Sequence, residues 1–150
     1  MSDTANTPAD MLARFERHLP PYARTLGITI AGLHDGVPLV AFDPDSRTLG
    51  RPGFVHGGAL GGLLEMAAIL ALQAELSQRG EEKRLKPVNV NIEFLRGATL
   101  ERCYAMGRVT RAGRRIANVT VEAWQQDRTK PVAEAWMNIL LADPRIVAAY

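Results

Sequence analysis

Apolar residues at Met11, Leu12, Phe15 and Leu19 recur at helical spacing, and Pro20 and Pro21 close that segment. The first ten residues before it read as a loose tail. Leu26, Ile28 and Ile30 then alternate with polar or small residues, as in a strand with one covered face. His34-Asp35-Gly36 is a turn signal, and Val37, Leu39 and Ala41 alternate after it, so a hairpin is predicted. Residues 43–54 carry Pro44, Gly50, Pro52 and Gly53 and read as a loop.

The one long helix predicted spans 58–79. Residues 80–84 are polar and turn-like. Val88, Val90, Ile92 and Phe94 then alternate with Asn89, Asn91 and Glu93. Two more strands follow over 100–110 and 114–126, joined at Ala112-Gly113. A last strand over 132–142 places Ala133, Ala135, Met137, Ile139 and Leu141 on one face. The short connections among the later strands favour antiparallel pairing. The class is therefore α+β, an antiparallel sheet that must wrap one apolar helix to bury it. Residues 1–150 form one domain: 1–25 as tail and short helix, 26–142 as core.

That helix holds the unusual residue. From Gly58 to Leu72, Glu65 is the only polar side chain. Gly58, Gly61, Gly62, Ala68, Ile69 and Leu72 all lie within about 60° of it on the helical wheel. A carboxylate on a helix that is apolar all round is costly to bury without a partner, and is a candidate site residue. The plainer alternative is that Glu65 reaches water or an arginine at a subunit surface. The helix start is also unusual. Gly53-Phe54-Val55-His56-Gly57-Gly58 puts a histidine and glycines where free backbone N–H groups gather. Such a place can hold an anion, or an oxygen that becomes negative during reaction. Glu65 lies about 13 Å along the axis from His56. Either the two features are unrelated, or a second chain running antiparallel brings its Glu65 to this helix start.

Charge adds one clue. Residues 79–115 hold ten basic and four acidic side chains, although the whole chain is only +2. A localised anionic ligand is one reading, a solvated basic face the other. Aromatics are too few in that stretch to favour nucleic acid. The single Cys103 cannot form an internal disulfide, which suggests a reducing, cytoplasmic setting. Cys103 itself, and Trp124 and Trp136, read as packing residues on strands. Three scattered histidines make no metal pattern. The longest uncharged apolar run, 53–65, is too short for a membrane span, and no leader is visible at the N-terminus.

The run His56-Gly57-Gly58-Ala59-Leu60-Gly61-Gly62-Leu63-Leu64-Glu65-Met66-Ala67-Ala68 resembles the hotdog-fold thioesterases, specifically the PaaI-like acyl-CoA thioesterase group of phenylacetate degradation. Residues 88–98 and the stretch Arg111-Ala112-Gly113-Arg114-Arg115-Ile116, followed by a strand and Pro131-Val132-Ala133-Glu134-Ala135, resemble it too. The resemblance covers about residues 26–142. It implies a hotdog fold and hydrolysis of an acyl-CoA thioester by a homodimer, with a dimer of dimers beyond it. It implies a carbonyl polarised by the N–H of Gly57, and Glu65 of the partner subunit as base or nucleophile. His56 would shape the loop or touch the thioester. Gly58, Phe94, Arg96, Gly97, Arg111, Gly113 and Arg114 would bind substrate, the phosphates of coenzyme A lying along 94–97 and 111–115. No cofactor, metal, nucleic acid or membrane is implied; coenzyme A is part of the substrate. Two positions depart from the group. Gly50 stands where relatives often have Asn or Gln, and Pro87 where many have a hydroxyl residue. The rival readings are a non-catalytic acyl-CoA binder and, more remotely, a hotdog acyl dehydratase.

Overall fold

The computed structural model describes residues 7–145. Helix α1, Pro8–Arg17, starts on a capping box in which Thr7 and Asp10 bond to each other's backbone N–H. Pro8 to Asp10, expected in a loose tail, are therefore helical; Met1 to Asn6, also expected there, lie outside the described residues. A second short helix, α2, Pro21–Leu26, was not expected. Pro21 sits in its first turn, where no N–H is needed, and Gly27 closes it in the left-handed conformation. Leu26 thus belongs to a helix rather than to the first strand.

Strands β1, Thr29–His34, and β2, Val37–Phe42, form the predicted hairpin. Its two turn residues, Asp35 and Gly36, have φ of 51° and 80°, the signature of a tight right-twisting turn. Leu39 is only half-buried, while Pro38, Val40 and Phe42 turn inward. All six side chains of β2 are apolar, so alternation alone could not choose its face. Pairing with the fourth strand chooses it, because Val40 lies opposite the buried Ala105. A 3-10 turn, Ser46–Thr48, interrupts the long loop.

Helix α3, Gly57–Gln78, is the core helix. Strands β3, Arg84–Phe94, β4, Cys103–Ala112, β5, Ile116–Trp124, and β6, Ala133–Ala142, complete the sheet. The strand order is β1-β2-β4-β5-β6-β3, and every pairing is antiparallel. All five expected apolar residues of β6 are buried against the α3 side. α3 is 22 residues long and apolar enough to cross a bilayer by length and composition; its burial beneath the sheet accounts for that apolarity. Leu63, Leu64 and Leu72 are wholly buried, each contributing roughly 1.5–3 kcal/mol.

β3 departs most from expectation. It begins at Arg84, within the predicted turn, and runs through Pro87 with a bulge before Asn89. Proline is tolerated there because β3 is an edge strand. Its apolar face is not covered. Register with Met137 and Ala133 turns Val90 and Phe94 to the α3 side, yet they are 43% and 57% exposed. The helix lies under the middle of the sheet and meets this edge only sparsely, through Phe94 beside Gly57 and Ile92 beside Gly61.

The closest seam between helix and sheet is at Gly107. A β-carbon there would stand 2.8 Å from both the Ala67 carbonyl oxygen and the Ala71 β-carbon. Backbone cannot yield as a side-chain tip can. Gly107→Ala should therefore lower stability by about 1–3 kcal/mol, read as a reduced midpoint in urea unfolding with unchanged slope.

Candidate active site

The loop before α3 is fixed on both sides. His56 donates its N–H to the Thr48 carbonyl (2.7 Å), Gly50 to Phe54 (3.0 Å), and Val55 to Ala98 (2.8 Å). Gly50 is pressed against His56: a β-carbon there would lie 3.2 Å from the His56 α-carbon. A larger residue at this position would have to displace that backbone.

His56 is the N-cap of α3. Its Nδ1 accepts from the Gly58 N–H at 2.8 Å. Its carbonyl accepts from Ala59 (3.0 Å) and Leu60 (3.2 Å). The Leu60 bond is the first ordinary turn of the helix; of the four free donors at the helix start, three are claimed, His56 by the Thr48 carbonyl, Gly58 by the His56 ring and Ala59 by the His56 carbonyl. The N–H of Gly57 is the one left without an acceptor among the described residues. Because Nδ1 accepts, the ring proton lies on Nε2, and that N–H is available as a donor. The N–H of Gly58, a residue expected to bind substrate, serves the cap; a β-carbon on it would lie 3.0 Å from His56 Nδ1.

A cleft of about 570 Å³ opens at this point. Phe94 covers the α-carbon of Gly57, its ring 3.1 Å from where a β-carbon would stand. Phe54 covers Gly97 in the same way, at 2.6 Å. The structure therefore brings together His56, Gly57, Phe94, Arg96 and Gly97. It also adds two residues that the sequence reading passed over as loop. Arg51 lies over the Phe54 ring, 4.2 Å from its centre, and both line the cleft. Phe54 stands two residues and Arg51 five residues before the His-Gly-Gly run, and no spacing rule ties either to the cleft.

Glu65 lies elsewhere in the chain. It is eight residues along α3 from Gly57, about 12 Å. It is half-buried and has no hydrogen bond or ion pair among the described residues. It belongs to a stripe of partly exposed residues spaced by four: Gly57, Gly61, Glu65, Ile69 and Gln73. Gly61 lies beside the Ile92 tip, so this stripe runs along the open side of the helix, next to β3. The Gln73 Oε1 is buried without a donor.

Arg111, Gly113 and Arg114 are not at the cleft. The turn that carries them packs on the far end of α3, where Arg79 donates to the Ala112 carbonyl (3.3 Å). A 22-residue helix, about 33 Å, separates the two ends. Within one chain they cannot bind the same small molecule as Gly57. No group of three or more His, Cys, Asp or Glu side chains among the described residues is placed to hold a metal ion.

A single antiparallel sheet folded round one apolar helix, with an unclaimed amide at the helix start, defines a hotdog protein. Residues 52–132 match the thioesterase superfamily, and the chain belongs to that family of hydrolases. Comparison with the curated proteins finds no match. Solved structures resemble it over most of their length. A phenylacetic acid degradation-related protein of Ralstonia eutropha is 27% identical, with TM-score 0.71, over 87% of this chain and 98% of that one. A conserved Pseudomonas aeruginosa protein is 27% identical, TM-score 0.72, over 84% and 97%. A mutant of the phenylacetic acid degradation protein PaaI of Thermus thermophilus is 24% identical, TM-score 0.68, over 81% and 98%, a likeness of fold.

Cys103 is no rival nucleophile. It is buried, its thiol pushed up to about 11 by loss of solvent, partly offset by a hydrogen bond from Gln125. A disulfide reagent at about pH 8 should react slowly with the folded protein and rapidly once urea exposes the thiol. Fast reaction in the native state would show that this strand opens.

Proposed function

We propose that the protein is an acyl-CoA thioesterase that works as a homodimer, each site built from Gly57 of one subunit and Glu65 of the other. The observation that carries this is the pair of unmet groups. Gly57 offers the one free amide at the helix start, in a cleft. Glu65 offers a carboxylate with no partner among the described residues, on the open side of the same helix. Antiparallel packing of two α3 helices that sets Gly57 against the partner's Glu65 sets Gly61 against itself. The residue at the crossing point is then the smallest available. The same packing covers Val90 and Phe94, which a single chain leaves exposed.

In this arrangement the thioester oxygen accepts from Gly57 N–H, with the positive end of the helix behind it. The partner's Glu65 takes a proton from water as the water oxygen bonds to the carbonyl carbon. The tetrahedral oxyanion collapses, the C–S bond breaks, and the thiolate of coenzyme A leaves and takes up a proton. His56 Nε2–H is a further donor toward the substrate. Arg51 and Arg96 at the cleft suit the phosphates. Arg111 and Arg114 serve only if another subunit brings them there. A non-catalytic acyl-CoA binder is the second reading, favoured by Gly50, which offers no polar side chain to hold a water.

Glu65→Ala should lower thiol release from acyl-CoA by about 10²–10⁴-fold, with Gly57→Val equally inactive. Mixing the two inactive variants decides the geometry. With random pairing about half the dimers are hybrids, each with one intact site, so about a quarter of wild-type activity should return. No recovery would place both groups in one chain. Tight acyl-CoA binding without turnover, unchanged in Glu65→Gln, would establish the binder.

A further inference from the structure

Helix α2 lies outside residues 52–132, the stretch that matches the family, and it carries a polar group that the proposed reaction leaves unused. Tyr22 and Leu26, one turn apart on α2, both rest on Gly62 of α3. A β-carbon on Gly62 would stand 2.6 Å from the Leu26 side chain, 3.3 Å from the Tyr22 ring and 3.8 Å from the Tyr22 hydroxyl. The phenol lies against the core helix, yet Tyr22 is 56% exposed. Its hydroxyl has no hydrogen bond among the described residues.

Helix geometry says which site this hydroxyl can serve. Gly62 precedes Glu65 by three residues, about 4.5 Å of axis and about 60° of turn. Side chains at that spacing are neighbours, with β-carbons about 5–6 Å apart. Gly57 of the same chain is five residues from Gly62, about 7.5 Å along the axis and about 140° round it. Tyr22 therefore flanks its own Glu65 and not its own Gly57. On the other flank Ile92 lies beside Gly61, and it is apolar. Of the two side chains that other elements set there, only Tyr22 carries a polar atom.

A water that attacks a thioester has two O–H bonds and must aim a lone pair at the carbonyl carbon. Glu65 accepts from one O–H. Without an acceptor for the second, the water turns freely about the first bond and its lone pair is not aimed. Gly50 and Pro87 offer no side-chain acceptor. His56 Nδ1 is taken by Gly58, and its Nε2–H only donates. Gln73 lies two turns beyond Glu65, about 12 Å along the axis. A phenol oxygen accepts as well as donates.

We infer that Tyr22 is a positioning residue: its hydroxyl oxygen accepts the second O–H of the attacking water and holds that water between Glu65 of the same chain and the carbonyl on the partner's Gly57. The inference rests on the thioesterase reading above. Glu65 takes the first proton as the water oxygen bonds to the carbonyl carbon. The second proton stays on that oxygen and leaves with the product acid, so Tyr22 neither gains nor loses a proton.

Tyr22→Phe removes only the oxygen and keeps the ring on Gly62. Across a panel of straight-chain and aryl acyl-CoAs, it should lower kcat for thiol release by about 10–10²-fold, with KM and the urea unfolding midpoint unchanged. Mixed with Gly57→Val, it should recover about a quarter of wild-type activity. Each hybrid then has one site with Gly57 from one chain and intact Glu65 and Tyr22 from the other. Mixed with Glu65→Ala, it should recover nothing beyond its own residual rate. The reverse pattern would assign Tyr22 to the Gly57 of its own chain and overturn the inference. A raised KM at unchanged kcat would make Tyr22 a binding contact and overturn it too. A wild-type rate in Tyr22→Phe, with Glu65→Ala inactive, would remove the role of Tyr22 and leave the thioesterase reading standing. No thiol release by wild type from any member of the panel, or an undiminished rate in Glu65→Ala, would overturn both.

Discussion

A helix without a polar stripe has to be covered on every side, and one sheet cannot do that. This constraint shapes the rest of the molecule. The sheet closes over α3 from β2, β4 and β5, and the small helices α1 and α2 fill one flank. Gly62 shows how close that flank comes: a β-carbon there would lie 2.6 Å from the Leu26 side chain. The side toward β3 stays open, with Gly57, Gly61, Glu65, Ile69 and Gln73 along it. The same opening leaves Val90 and Phe94 uncovered. An exposed apolar strip with one carboxylate in it is a poor surface for a free monomer and a good one for an interface.

The helix start answers to a second constraint. Four donors there need acceptors; His56 satisfies two through its ring and its carbonyl, and its own N–H goes to the Thr48 carbonyl. An aspartate could cap the helix as well, but it would put a negative charge beside the place where negative charge develops. The neutral imidazole nitrogen takes the bond from Gly58 without that repulsion. The cap therefore holds the helix start rigid and keeps the Gly57 amide free, so stability and the proposed chemistry use different donors of one helix end. Phe94 crowds the same glycine, its ring 3.1 Å from where a β-carbon would stand.

These features were unequally legible in the sequence. Glu65 stood out because it is alone in an apolar run, and β6 because its two faces differ in composition. The Asp35-Gly36 turn was readable because few dipeptides adopt its backbone. The face of β2 was not, because all its residues are apolar and the choice is made by pairing with β4. The early start of β3 was hidden by charged residues and Pro87, which an edge strand accepts and an isolated pattern rejects. The identity of the free amide depends on hydrogen bonds within the cap, and no spacing rule reports those. Arg51 was invisible for a similar reason: only the folded loop sets it over Phe54 at the cleft.

The basic run over residues 79–115 shows the limit of local charge as evidence. Read as a string it suggests one anionic ligand. In the fold its members go to separate places. Arg79 pairs with Glu75 on α3, and Arg102 with Asp43, whose carboxyl it holds below the ordinary carboxylate range. Arg96 lines the cleft. Arg111, Arg114 and Arg115 crowd the far turn, and Arg84 and Lys86 end the outer face of β3. Antiparallel strands bring about this division, because each turn reverses the chain and sends nearby residues to opposite ends of the sheet. A charge excess that is continuous in sequence thus becomes a cation at the cleft, two local ion pairs and a cationic far end of the sheet.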